Sequence, residues 1–439
     1  MTDVASLTSL RDEILDAARR YAELAGAEEE FVPGRTPVQI AGRLVGAPEI
    51  AALVDASLDG WLTEGRFAAE FVGAFAAAAG RAHAAIVGSG SQANLLAIAA
   101  ACSDLVEGPL RPGDEVITPA VGFPTTVNPI YQHGLVPVYV DVEPATLNPP
   151  LEAFAAAVGP RTRAVMAAHC LGNPFDAPGL AELCAQRELV LIEDCSDALG
   201  SRVGDRLVGT FGQAATYSFY AAHHMTTGEG GALATDDALW ARAIGSLREW
   251  GRDCWCPPGV NDACGRRFDG SFGALPPGYD HKYVYSQAGY NFKVTDMQAA
   301  LGLAQLERLG AVGRARRRNF EHLHAALAPR EDQLLLPQTL PGADPSWFGY
   351  PFALREGGSA RRRALQLHLQ RRRIDSRLVL SGNITRQPAY RGRGHRIAGP
   401  LRGADFVTES ALWVGVHPRM TEPMLDWVAE SIADFLAAG

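Results

Sequence analysis

The 439-residue chain predicts an α/β protein built around a mostly parallel sheet, and two patterns carry that expectation. Short apolar runs alternate with stretches of helical spacing, as strands and crossover helices do in such folds. The run over 135–143 is mostly apolar, as a strand covered on both faces is.

The elements follow in order. Residues 1–26 read as an acidic-start amphipathic helix, without the basic and apolar regions of a secretory signal. Residues 52–80 keep helical periodicity. Residues 84–105 read as a strand, a Gly/Ser turn and a helix. Further strands are expected within 114–123, 163–172 and 214–235, with helices at 150–160 and 179–188. A single long helix is expected over 295–327, capped by Thr295 or Asp296. It leaves a large unit for a smaller one containing a strand near 345–355 and a helix near 358–374. The expected division is a helical arm over 1–50, a large cofactor-binding domain over 51–305 with a cysteine-rich loop at 250–270, and a small C-terminal domain over 306–439.

Composition narrows the function. Apolar residues make up 47%, enough for a sizeable core, and no apolar run is long enough to span a bilayer. The net charge of −9 argues against a general binder of nucleic acid or membrane surfaces. The expected location is the cytoplasm. Seven cysteines there do not suggest a disulfide framework. Lysine is nearly absent: only Lys282 and Lys293 occur.

Four segments carry candidate chemistry. Gly88, Ser89, Gly90, Ser91 and Gln92 form a strand-to-helix turn whose small residues let backbone N–H groups approach a phosphate, although such turns also cap helices without a ligand. Asp194 ends an apolar strand, where a carboxylate can pair with a protonated pyridine nitrogen or simply cap a helix. Phe123 follows another strand and can stack on a ring. The fourth segment runs from Tyr217 to Gly231: Ser218-Phe219, then His223, then Gly228-Glu229-Gly230-Gly231.

This order resembles the nucleotide-sugar aminotransferase superfamily of the aspartate-aminotransferase fold, fold type I. The resemblance runs nearly end to end. It includes Phe31-Val32-Pro33-Gly34, Ser57-Leu58-Asp59-Gly60-Trp61-Leu62, Gly289-Tyr290-Asn291-Phe292-Lys293 and Gly382-Asn383-Ile384-Thr385-Arg386-Gln387-Pro388. In aminotransferases of that superfamily the position of His223 is the lysine that binds pyridoxal phosphate as a Schiff base. Histidine cannot form that bond, and neither lysine lies near the motif in sequence. The substitution resembles the 3-dehydratases of deoxysugar biosynthesis, whose cofactor is noncovalently held pyridoxamine phosphate (PMP).

The resemblance implies the remaining assignments. His223 is the general base at the cofactor's C-4′ carbon. Gly90, Ser91, Gln92, Phe123, Asp194, Asp197 and Ser218 bind the cofactor, with Ser218 at the phosphate and Asp197 toward the ring hydroxyl. Asn291 reaches the phosphate of a neighbouring subunit, which implies a homodimer with shared sites. Arg386 is a candidate contact to nucleotide or sugar.

Cys254, Cys256 and Cys264 form C-x-C-x7-C, a spacing that suggests a metal site, with zinc and a 2Fe–2S cluster both compatible. One class of the dehydratases carries a 2Fe–2S cluster on C-x57-C-x-C-x7-C, which makes Cys195 the fourth expected ligand. The first interval here is 58 residues, and Ser196 stands where the shorter interval would put a thiol. Cys102, Cys170 and Cys184 read as packing residues.

The implied reaction is removal of the 3-hydroxyl from a nucleotide-linked 4-keto-6-deoxysugar, followed by two-electron reduction fed by a separate reductase, ferredoxin or flavodoxin. Relatives use CDP-4-keto-6-deoxyglucose or dTDP-4-keto-2,6-dideoxyglucose. The arginine-rich, lysine-poor composition fits a GC-rich antibiotic producer and sets the dTDP sugar as the expectation. The rival of another type is a pyridoxal-phosphate (PLP) sugar aminotransferase, against which His223 stands.

Overall fold

The structure is a computed structural model describing residues 4–26, 30–42, 44–256, 259–263 and 265–438. The architecture is mixed α/β, as expected. Helix α1 (Val4–Ala25) is followed by α2 (Ala47–Leu58) and α3 (Arg66–Ala79), so the turn at 59–65 divides the helical stretch in two. Then come β1 (His83–Val87), α4 (Gly90–Ala101), β2 (Glu115–Pro119), α5 (Pro124–Gln132), β3 (Val136–Val140), α6 (Leu151–Ala157), β4 (Thr162–Ala168), α7 (Ala177–Gln186) and β5 (Val190–Asp194). A small hairpin, β6 (Arg202–Val203) and β7 (Arg206–Leu207), precedes β8 (Ala214–Ser218), β9 (Gly231–Thr235) and α8 (Ala238–Arg248).

After α9 (Asp296–Leu306) and α10 (Leu309–Leu327), the C-terminal part contributes β10 (Leu334–Leu335), β11 (Ala343–Asp344), β12 (Gly349–Leu354), α11 (Gly358–Arg371), β13 (Ser376–Arg377), β14 (Arg396–Ile397), α12 (Arg402–Ser410), β15 (Ala411–Gly415) and α13 (Glu422–Ala437). The expected single helix over 295–327 is two. Thr295 caps the first with a reciprocal Gln298 bond, and the chain turns at Glu307–Arg308. Arg308 reaches back to the Leu44 carbonyl and to Glu49, which ties the break to α2.

The large sheet has the order β1-β9-β8-β5-β4-β2-β3-β14, with β9 antiparallel to its neighbours β1 and β8. Strands β2, β3, β4, β5 and β8 run parallel, so their carboxyl ends open on one edge. Each face carries its own core. Ile192, Ala214 and Leu233 pack with α4 and α8 on one face. Cys195, Ala215 and Tyr217 pack with α3 and α9 on the other. A four-stranded sheet, β10-β12-β15-β13, builds the C-terminal unit, while β14 returns to the edge of the large sheet beside β3. Among the described residues no helix is long and apolar enough to cross a membrane.

Candidate active site

At the carboxyl ends of β4, β5 and β8 lies a cavity of about 480 Å³. Its floor comes from the large sheet, and its far wall from Phe348, Arg377, Leu378, Leu380 and Trp413.

One end is the start of α4. Ser89 caps this helix, its Oγ accepting the Gln92 N–H at 3.1 Å, and Ser89, Gly90, Ser91 and Ser218 all line the cavity. Gly90 is required by space: a Cβ there would meet the Ser218 Cβ at 2.5 Å. The exposed backbone N–H groups of a helix N-terminus favour an anion. Gln92 does not line the cavity; its Oε1 folds back to accept the Gly88 N–H at 2.8 Å.

Asp194 lies deeper, at the end of β5. Its Oδ2 accepts from Asn94 Nδ2 at 2.9 Å and Thr126 Oγ1 at 2.8 Å, and its Oδ1 from Ser196 N at 3.1 Å and Ser196 Oγ at 2.7 Å. Thr216 donates to Asn94 Oδ1 at 2.5 Å, turning the amide N–H₂ toward Asp194. The carboxylate is buried and locked, and it lines the cavity. Phe123, half exposed just before α5, lines the same space.

His223 stands beside them. Its Nδ1 lies 2.8 Å from the Ser196 carbonyl oxygen. A carbonyl only accepts, so Nδ1 carries the proton and Nε2 keeps the lone pair. The side chain retains 13% exposure at the cavity, yet burial, with Arg316 assisting, holds its pKa down to about 4. Asp197 Oδ1 is 3.6 Å from the same Nδ1. Burial and the nearby Asp194 push the Asp197 carboxyl up to about 7.

Arg316 holds this loop to the C-terminal unit. Fully buried, it donates from Nη1 to the carbonyls of Trp347 and Phe348 and from Nη2 to those of Ala222 and His223. His224 Nε2 bonds to the Ser346 carbonyl at 2.7 Å across the same seam.

No lysine lines the cavity. Lys293 sits over the Trp250 ring, 3.6 Å from its centre, and Lys282 bonds to Val260 O and Asn261. Asn291 is exposed and bridges to Glu249, away from its own chain's cavity. Arg386 also lies elsewhere, paired with Asp405 and Glu409, whereas Arg377 lines the cavity. Sequence reading missed Asn94, Thr126, Arg316, Arg377, Phe348 and Trp413. Only the first two had a local signal: Asn94 lies one helical turn after Gly90, and Thr126 three residues past Phe123.

The structure parts the expected cysteine ligands. Cys195 is fully buried in the core beside Tyr217, on the face shared with α3 and α9. Cys254 and Cys256, in the loop after α8, line a second cavity of about 850 Å³ at the edge strand β1, with Val72, His83, Ala84 and Ala85. Strands β9 and β8 lie between β1 and β5, which alone amounts to about 14 Å. Successive strand residues alternate faces, so a chain that turns Asp194 toward α4 turns Cys195 away. Within one chain Cys195 thus follows β5, three strands in from the edge strand β1 that borders the Cys254 and Cys256 cavity. Cys254 and Cys256 do stand together: the Cys256 N–H points to Cys254 Sγ at 3.5 Å, and the Ala263 N–H to Cys256 Sγ at 3.4 Å. Cys264 lies outside the described residues.

Fold and cavity together define a fold type I enzyme of the sugar-aminotransferase kind, with histidine at the lysine position. The chain belongs to the DegT/DnrJ/EryC1/StrS aminotransferase family, whose pattern matches residues 45–433. It is 50% identical over 431 residues to dTDP-4-dehydro-2,6-dideoxy-D-glucose 3-dehydratase of Saccharopolyspora spinosa, covering 97% of this chain and 92% of that one. It is 45% identical over 428 residues to the lipopolysaccharide biosynthesis protein RfbH of Salmonella typhimurium, covering 97% and 98%. The solved structure of E. coli GDP-4-keto-6-deoxy-D-mannose-3-dehydratase with bound hydrated PLP superposes with a TM-score of 0.81 at 27% identity, covering 90% of this chain and 99% of that one.

Proposed function

We propose that the protein is a PMP-dependent 3-dehydratase that removes the 3-hydroxyl of dTDP-4-keto-2,6-dideoxy-D-glucose. The observation that carries this reading is His223, held with Nε2 unprotonated in a cavity that no lysine lines. The likeness to the Saccharopolyspora spinosa dehydratase supports the choice of nucleotide and sugar.

The cavity fits a phosphorylated pyridine: it joins a helix N-terminus, a buried carboxylate and an exposed aromatic face. When bound, the cofactor supplies an amine that joins the sugar at C-4 and a ring that accepts the electrons left by a departing proton. Ser89, Gly90, Ser91 and Ser218 hold its phosphate. With the cofactor bound, Asp194 would hold the pyridine nitrogen protonated, Asp197 would lie toward the ring hydroxyl and Phe123 would cover one face. His223 Nε2, on a ring neutral at physiological pH, would serve as the base that takes the proton from the bound cofactor's C-4′. Ser196 O keeps the ring in that tautomer while the proton moves. Phe348, Leu378 and Trp413 close the far wall against water.

Net deoxygenation takes up two electrons and two protons and releases one water. The electrons come from a separate reductase or ferredoxin. We assign an iron–sulfur cluster to the loop of Cys254, Cys256 and Cys264. A cytoplasmic homodimer, with Asn291 completing the partner's phosphate site, is part of the same reading.

Full-length protein with PMP, the dTDP sugar and a chemical reductant tests the function. The expected product lacks one oxygen at C-3 by mass spectrometry and NMR. An amino sugar formed with glutamate as donor would instead establish an aminotransferase. Turnover of CDP-4-keto-6-deoxy-D-glucose alone would reassign the nucleotide.

A further inference from the structure

We infer that α1 is an interaction surface for a second copy of this chain, pairing antiparallel with that copy's own α1. The inference does not depend on the reading of the reaction, and α1 does not line the active-site cavity.

Helix α1 has two apolar faces. One is used within the chain: Ala22 is buried, Leu15 and Ala18 are half-buried, and Arg11 donates to Asp55 of α2 and to Asp59 just after it. The other stands open. Leu7, Leu10, Ile14, Tyr21 and Leu24 are 53%, 52%, 36%, 72% and 81% exposed, and Ala17 among them is exposed as well. The intervals between these six alternate between three and four residues, which makes them the a and d positions of three heptads. Such a seam fits a partner helix of the same period.

The seam is complementary to itself in one orientation. An antiparallel pair about a two-fold axis between residues 15 and 16 sets a positions against d positions. Leu7 then faces the partner's Leu24, Leu10 the partner's Tyr21 and Ile14 the partner's Ala17. The smallest side chain of the seam is thus covered by a larger one. Charge follows the same symmetry. Glu13 and Arg20 are exposed at the g positions, and each meets the other across the pair, giving two opposite-charge contacts. A parallel pair would set Tyr21 on Tyr21 and Ala17 on Ala17, and would bring Glu13 only to Ala18. Arg11 and Arg19 are already held within the chain, by Asp55, Asp59 and Asp16. Glu13 on the flank of the stripe disfavours an anionic membrane as the occupant.

The pairing brings the two residues at position 17 within about 10 Å of one another. Full-length holoenzyme carrying Ala17→Cys is treated with a short bis-maleimide, and linked peptides are identified by mass spectrometry. The expected product joins position 17 of one chain to position 17 of another. Asp12→Cys, on the far side of α1, should give no corresponding product. Adding Arg20→Glu to Ala17→Cys puts two like-charge contacts in place of two opposite ones, and the yield should fall about fivefold or more. Adding Glu13→Arg as well should restore it, which a misfolded α1 would not allow. Equal yields from Ala17→Cys and Asp12→Cys, or a yield that Arg20→Glu leaves unchanged, overturn the pairing. So does Ala17→Cys protein that forms no interchain product; its co-sedimentation with phosphatidylglycerol vesicles would then give the stripe to a membrane surface. Cross-linking needs no substrate, so failure of this contact and failure of the proposed reaction are read separately.

Discussion

The Nδ1 atom of His223 stands 2.8 Å from the carbonyl oxygen of Ser196, and this contact decides which ring nitrogen can act as a base. Ser196 also binds Asp194 through both its amide and its hydroxyl. Ser196, between Asp194 and Asp197 in the chain, therefore orients the imidazole and the Asp194 carboxylate together.

Replacing His223 tests the proton transfer. His223→Asn keeps a polar side chain but removes the base, and kcat should fall about 10²- to 10⁴-fold. Cofactor affinity should change little, as read by equilibrium dialysis of PMP. His223→Lys restores a primary amine, and the expected result is a lysine–PLP Schiff-base absorption band that wild type lacks.

The two shifted groups make pH predictions of opposite kind. His223 has its folded pKa held near 4, below its ordinary 6.5. The unfolded chain therefore binds that proton first, and stability is lost as pH falls from about 6.5 toward 4. Asp197 has its folded pKa raised to about 7 from 3.8, so its ionisation disfavours the fold increasingly as pH rises from about 4 to 7. Asp197→Asn should gain stability relative to wild type at pH 8 and not at pH 4, measured by urea midpoints. In kcat/KM the step near pH 7 should vanish in Asp197→Asn, leaving the acid limb near pH 4.

Arg316→Met removes the guanidinium that donates to four carbonyls across the seam. Each carbonyl left without a partner costs on the order of 1 kcal/mol, so a total loss of about 4 kcal/mol is expected in denaturant unfolding. Burial holds this arginine down to about 10, so the group stays charged throughout the useful pH range. The kcat should fall more than KM rises, because the His223 loop loses its anchor.

Gly90→Ala puts a methyl group against the Ser218 Cβ. The helix start must move from the strand end, and cofactor affinity should fall about tenfold or more, since the phosphate N–H donors move with it. Gly73→Ala, in open space on α3, should leave binding unchanged and serves as the control.

Much of the large sheet was legible because its strands are apolar runs bounded by glycine turns. The helix over 295–327 was misread as continuous because the residues at its break are good helix formers. Arg308 turns away there to reach Glu49, a partner 259 positions earlier that periodicity cannot reveal.

The sequence by itself determined the alternation of strands and helices, the placing of Asp194 and Ser218 at strand ends with Ser91 and His223 in the segments that follow strands, and the absence of a nearby lysine. Those are local properties, set by residue type and spacing. Tertiary structure alone decided that Arg377 faces the cavity while Arg386 is held by Asp405 and Glu409. It also decided that Arg316 locks the His223 loop, and that Cys195 lies in the core on the far face of the sheet from α8. The physical reason is common to all three. Which face a side chain takes, and what stands opposite it, depends on packing between segments far apart in the chain, and spacing along one segment does not contain that information.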